Sequence, residues 1–250
     1  MKVKVSRAAV AVSVVAALGF TAACGGGDEK EEPGRSAAAS TPGADGSKGA
    51  GETEEKAPLT AAQLDEAVLA SGDVAGYRVE EMSEEDMPAG SLPIEPAACQ
   101  SIADMFFFTS TTPAESRTGR TFTPESDADA TVTSLALLAH EQGDAEKVIA
   151  GLRTASEKCT EYEQADYRYT GVEALPAPEH GDEAVAYRLT GDIEDTTVPM
   201  AFTIVRSGST LAAFYAMNVL DADKAEVPPE VIEKQLEKLE KLEKLEGTGA

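Results

Sequence analysis

The chain predicts an α+β domain: an antiparallel β-sheet flanked by helices, built as a single domain with one disulfide. Three observations carry that reading. Apolar residues recur at helical spacing in separate stretches near the start, middle and end of the chain. Short strand-like runs follow one another with turn residues between them, as in an antiparallel meander. The last two runs, in "VPMAFTIVRSGSTLAAFYAMNVL", form a hairpin pattern around Ser207-Gly208, where glycine supplies the positive φ of a tight turn. Helices grouped around consecutive antiparallel strands argue against a doubly wound parallel sheet.

In chain order, "LTAAQLDEAVLA" (59–70) sets Leu64, Val68 and Leu69 on one helical face, with Thr60 as its cap. A strand is expected over 77–82, a loop over 88–96, and a second helix opening at Pro96. Strands follow at 117–123 and 131–139. The clearest helix is "GDAEKVIAGLRTASEKC", in which Val148, Leu152, Ala155 and Cys159 fall at spacings of four, three and four. Strands are expected at 165–174, 183–190, 197–206 and 210–220. The last two are apolar on both faces (Met200, Phe202 and Ile204 against Ala201 and Val205), which places them centrally in the sheet. Pro228-Pro229 starts a final helix. Its "QLEKLEKLEKLE" run is not a zipper, because the leucines are always three apart and each step turns them about 60° around the helix. Ile232, Leu236 and Leu239 are expected to face the core, and Leu242 and Leu245 to run past it. Glu237–Lys241 and Glu240–Lys244 are expected as ion pairs.

The first residues read as a bacterial lipoprotein signal peptide, 1–23. Lys2, Lys4 and Arg7 precede an apolar segment of roughly 13 residues, too short for the ~20 of a membrane span. "TAAC" then resembles a lipobox, with Thr21 where leucine is usual, so that Cys24 takes the diacylglyceryl and palmitate chains. Ordinary cleavage after Ala23 is the alternative. The cysteine count favours lipidation. Of three cysteines, capping Cys24 leaves Cys99 and Cys159 as an even pair in an exported chain. Each lies on the apolar face of its helix, so neighbouring helices would let them bond. A redox pair would carry C-x-x-C spacing, which is absent. From residue 24 to 58 the chain is Gly, Ala, Ser, Glu and Lys with almost no large apolar residue. That predicts a disordered tether ahead of a domain at 59–246.

Net charge is −24, and −27 once the signal's three cations are gone, which excludes nucleic acid as a partner. "DADATV" from Asp127 and "DADKAE" from Asp221 start like calcium loops but lack the glycine at position six and the glutamate at position twelve. No metal site, cofactor or catalytic residue is expected. The two histidines, His140 and His180, lack ligand spacing and adjoin acids, so both are expected at the surface or in turns. No G-x-S-x-G or phosphate loop occurs, and with 0 Trp a carbohydrate platform of stacked rings is excluded.

The segment from Tyr169 to Leu220, with Cys99 in "PAACQSIAD" and Cys159 ending a helix, resembles the extracellular sensor domain of mycobacterial PknH-type Ser/Thr kinases. It is similar also to actinobacterial lipoproteins that carry the domain alone. The likeness covers about residues 59–240. It implies an α+β domain with a ligand-binding cleft and names no ligand-contacting residue. The chain departs from it in having no kinase domain and one cysteine pair where the kinase sensor has two. The function expected is therefore a non-enzymatic, lipid-anchored protein on the extracytoplasmic face of the cell membrane, a monomer binding an unknown small molecule or envelope protein. The alternatives are a cell-wall hydrolase with unidentified carboxylates and an envelope scaffold.

Overall fold

The computed structural model describes residues 57–126, 128–194 and 196–247, the last three by backbone alone. The expected signal peptide, Cys24 and nearly all of the expected tether at 24–58 lie outside the described residues.

Alternating and continuous apolar runs build eight strands. They are β1 (Tyr77–Glu81), β2 (Ser116–Pro124), β3 (Thr131–Ala139), β4 (Glu161–Gln164), β5 (Tyr167–Leu175), β6 (Glu183–Ile193), β7 (Thr196–Ser207) and β8 (Thr210–Asn218). All pair antiparallel in one sheet of order β1-β2-β3-β8-β7-β6-β5-β4. Two meanders, β1–β3 and β4–β8, are thus joined where β3 meets β8. Four helices complete the described fold: α1 (Ala61–Ala67), α2 (Gln100–Phe106), α3 (Gln142–Lys158) and α4 (Pro229–Gly247).

Because side chains alternate across a strand, the central strands feed two separate cores. On one face α2 and α3 cover Ala136, Leu138, Tyr187, Phe202, Ala213 and Tyr215. On the other, α1 and α4 cover Leu135, Leu137, Ala212, Phe214 and Ala216. Rings stack directly across strands on the first face, with Tyr187 on Phe202 and Tyr162 on Tyr169 at centroid separations of 4.8 Å each. Such pairs add to their area burial, each by about 0.5–1.5 kcal/mol.

The central placement of β7 and β8, the strand at 131–139 and the α+β class stand as expected. Four details differ. Helix α1 is capped by Thr60 in a capping box with Gln63, but it ends at Ala67 because Val68 turns extended. Gln235, fully buried on α4, donates to the Ala67 carbonyl at 2.8 Å and accepts from the Leu69 N–H at 2.9 Å, closing that helix end. The strand expected at 165–174 forms as β5, and a strand that was not expected, β4, precedes it in a hairpin. Its two turn residues, Ala165 and Asp166, both take positive φ without the glycine that normally announces such a turn. The β7–β8 turn sits one residue later than expected, on Gly208-Ser209, with Ser207 paired to Thr210. On α4, Leu239 is buried and Leu236 half-buried as expected. Leu242, however, packs partly against the core, and Glu237 pairs with Lys234 at 2.9 Å rather than with Lys241. The Glu240–Lys244 pair forms at 2.6 Å, and the Leu245 side chain lies outside the described residues.

Cys99 and Cys159 form a disulfide with Cα atoms 4.9 Å apart across 60 residues. It ties the start of α2 to the residue that ends α3, beneath the aromatic face. Helix α2 has seven residues, too few to hold by itself. Closing that loop is worth roughly 4 kcal/mol by chain entropy. Replacing both cysteines by serine should therefore lower unfolding stability by about that amount, read from the urea midpoint and slope. Superimposable unfolding curves would show that the bond contributes nothing.

Candidate functional site

A cleft of about 460 Å³ opens between α4 and the turn that leads into β6. Helical spacing sets one wall: Glu233, Leu236, Glu237 and Glu240 fall at i, i+3, i+4 and i+7 on one stripe. The opposite wall is His180, Gly181 and Asp182, with Ser207 at the end of β7. That volume lies within the range of small-molecule sites.

Arg206 fixes the second wall. The residue is 8% exposed, and its side chain donates to Glu183 through Nε at 3.0 Å and to Asp182 and the Gly208 carbonyl through Nη1 at 3.0 and 2.9 Å. Asp182 also accepts from the Gly208 N–H at 2.8 Å, and its own N–H donates to the Arg206 carbonyl. The turn is thereby clamped to the β7–β8 hairpin. Gly181 makes the close approach possible. It has φ +65°, and a Cβ there would collide with the Arg206 carbonyl and lie 2.6 Å from Val205 Cγ1.

The lining carries four carboxylates, Asp182, Glu233, Glu237 and Glu240, and no lysine or arginine. Three of them are paired with cations beside the cleft, Asp182 with Arg206, Glu237 with Lys234 and Glu240 with Lys244, so the negative potential that favours positively charged ligands is offset in part. Serine, histidine and aspartate also meet here, but not as a nucleophilic relay. Ser207 Oγ donates to Glu243 at 3.3–3.4 Å, Asp182 is engaged by Arg206 and Gly208, and His180 bonds to neither. A relay needs the serine on the histidine and the histidine on the acid. The α4 glutamates escaped sequence reading because glutamate at helical spacing carries no contrast in so acidic a chain.

The cysteine pair lies on the α2–α3 face, away from the cleft, and Cys24 is outside the described residues. His180 is exposed in its turn, as expected, and now lines the cleft. His140 corrects the expectation. It is 1% exposed, and both ring nitrogens lack hydrogen-bond partners. The residue directly follows β3, its N–H donates to the Ser209 carbonyl, and its ring lies among Phe108, Thr109, Pro113 and Leu138, close to Arg117. Its acidic sequence neighbours pointed outward while the strand carried the imidazole in. Among the described residues no group of three or more His, Cys, Asp or Glu could hold a metal ion. Likewise, no helix there is long and apolar enough to cross a membrane.

No protein-family model and no curated protein matches the chain. Among solved structures it is similar to the extracellular domain of PknH from Mycobacterium tuberculosis. The two share 13% identity over 75% of this chain and 98% of that chain, with a TM-score of 0.48. It is similar also to an uncharacterised protein from Mycobacterium smegmatis, at 13% identity over 74% of this chain and 93% of that chain, with a TM-score of 0.34. The first of these is the domain that the sequence resemblance names.

Burial holds the His140 pKa below the usual histidine value, with Asp144 opposing in part. The unfolded chain takes up that proton near pH 6.5, while the folded chain resists it. Stability is therefore full above about pH 6.5 and falls below it, by at most about 1.4 kcal/mol per pH unit. Urea unfolding of the wild type between pH 7 and 5.5 should show this decline, and His140→Gln should flatten it. An equal slope in both proteins would place the titration elsewhere.

Proposed function

We propose that the chain is a lipid-anchored protein of the extracytoplasmic face whose sensor-like, non-catalytic domain binds a cationic small molecule in the cleft between α4 and the 180–182 turn. One observation carries the reading: a cleft of about 460 Å³ whose charged side chains are all carboxylates. A cation entering it leaves water for a site already polarised to receive it.

Export is supported by the Cys99–Cys159 bond, which belongs in an oxidising compartment. The anchor would be Cys24 after removal of residues 1–23, with 24–58 as a tether lifting the domain at 59–246 off the bilayer. More than one acyl chain makes such an anchor stable. The sensor-like part follows the resemblance to the kinase sensor domain. The uncoupled Ser207, His180 and Asp182 speak for binding over hydrolysis. Leu242, folded partly onto the core, speaks against an apolar docking stripe along α4.

The anchor and the cleft are tested separately. Cys24→Ala should release the protein from the membrane fraction of its host, detected by immunoblot of fractionated cells. A variant that stays with the membrane refutes lipidation at that residue.

Native mass spectrometry of the protein recovered from the host's own envelope tests the cleft. The wild type should carry a reproducible extra mass that vanishes on denaturation, and Glu237→Gln with Glu240→Gln should lose it. A bare wild-type mass under gentle conditions, or a mass that both proteins keep, would remove the cleft as the binding site.

A further inference from the structure

His140 does not line the cleft, yet its main chain is tied to the cleft's wall. Its N–H donates to the Ser209 carbonyl at 2.9 Å. Ser209 shares the β7–β8 turn with Gly208, whose N–H donates to Asp182 at 2.8 Å and whose carbonyl accepts from Arg206 at 2.9 Å. Those two bonds help clamp the 180–182 turn. One main-chain hydrogen bond and one peptide unit therefore separate His140 from the clamp.

The surroundings of the ring suit a neutral imidazole. It lies against Phe108, Pro113 and Leu138, and neither nitrogen has a hydrogen-bond partner. The space beside it is about 30 Å³, room for one or two waters and far short of a cation's hydration. Phe108 is held at φ +51°, a left-handed conformation that costs a non-glycine residue about 1–3 kcal/mol. The segment against the ring is thus strained as well as apolar.

The charged groups around it give a protonated ring little help. From β2 comes Arg117, whose guanidinium donates to the Met87 and Pro88 carbonyls at 2.6 and 2.7 Å and is attracted by Glu84 of the loop after β1. From α3 comes Asp144, already paired with Lys147 at 2.7 Å. Glu115 and Glu141 are exposed, and Gly208 and Ser209 bring no charge. Burial accordingly keeps the ring neutral below the usual histidine value, with Asp144 opposing in part.

We propose that His140 couples acidity to the cleft: on taking a proton the imidazole leaves its pocket, draws on the Ser209 bond and loosens the hold of Gly208 and Arg206 on the 180–182 turn. The cleft then grips its ligand at neutral pH and slackens in acid, a regulation that rests on the binding role given to the cleft above. The direction follows from the two positions of the ring. Swung into water it titrates near the ordinary value of about 6.5, while in the pocket it stays neutral to lower pH. Each pH unit below about 6.5 therefore favours the swung-out ring by up to tenfold.

The test is a pH series of ¹H–¹³C and ¹H–¹⁵N correlation spectra of the full chain without ligand, from pH 7.5 to 5. His180 stands on the turn itself, so the series is run in His180→Gln protein to remove its own titration. The His140 Cε1–H and the amides of Gly181, Asp182, Gly208 and Ser209 should move with one midpoint, while the amides of Leu152 and Phe202 hold. His140→Gln should abolish that midpoint at all four amides. His140→Phe, which keeps a ring in the apolar pocket, should do the same and carries the test should the Gln variant fold poorly. Wall amides that titrate alike with and without His140 would assign the change to Asp182 or its neighbours and overturn the coupling. So would a ring that stays neutral to pH 5, a wall that ignores its titration, or a spectrum that collapses as a whole. An empty cleft in mass spectrometry would leave these shifts untouched, so failure of the binding role and failure of the coupling are seen apart.

Discussion

The fold depends on one seam. Strands β3 and β8 pair along their whole length, Thr131 against Asn218 through Ala139 against Thr210, although about 80 residues of chain separate them. Every other strand pairing joins neighbours in sequence, so each meander can form locally, and only this contact makes one sheet of two. Its side chains fill both cores: Leu135, Leu137, Ala212 and Phe214 go to one face, Ala136, Leu138, Ala213 and Tyr215 to the other. Three of the nine β8 partners are alanine (Ala212, Ala213 and Ala216), and their small size leaves room for helices on either side. A substitution in the seam would therefore disturb two helix layers at once.

What the seam organises differs by face. Above the aromatic face, α2 and α3 are bound to each other by the disulfide and seat on stacked rings, so the helix layer is held by a covalent bond and by shape. On the opposite face α1 and α4, from the two ends of the described chain, are joined by polar bonds. Gln235 closes α1, and Lys238 adds a contact to the Val68 carbonyl and to Asp73, both at 2.7 Å. The first arrangement leaves a small pocket beside its helices, open to solvent where Lys147 lines it. The second leaves an open cleft where α4 passes the clamped 180–182 turn. Stiffness and openness follow from the kind of bond that holds each layer.

The sequence disclosed whatever depends on local pattern. The periods of Val148, Leu152 and Ala155, the two-faced apolar runs of β7 and β8, and the capping signal at Thr60 each map onto what formed. The features it hid are long-range or depend on context. Nothing in "YEQADYRY" marks Ala165 and Asp166 as left-handed, so the hairpin went unread and β4 with it. The β3–β8 pairing is fixed by both cores together and by no residue alone. His140 was misplaced because its neighbour Glu141 faces solvent at the helix start, whereas His140 itself, the residue directly after β3, turns inward. The cleft was illegible for the opposite reason: its glutamates match the rest of a strongly acidic chain, and only the turn folded against α4 by Arg206 distinguishes them.

Buried polar groups separate architecture from opportunity. Gln235 is as buried as any core leucine, yet both ends of its amide are satisfied by the backbone it closes. Such a residue contributes to the fold and offers a ligand nothing. The phenols of Tyr162 and Tyr187 are unmet, but each rides on a ring that is itself part of the aromatic stack, so burial of the ring accounts for the loss. Asp104 has no such compensation. Its side chain is short, its charge is costly to bury, and only Oδ1 is bonded, to Ser91 and Gln100, while Oδ2 is buried without a partner. What the carboxylate does secure is the loop ahead of α2, held through Oδ1 by Ser91 at 2.6 Å and Gln100 at 2.8 Å, so even this costly group is tied into the fold at one oxygen.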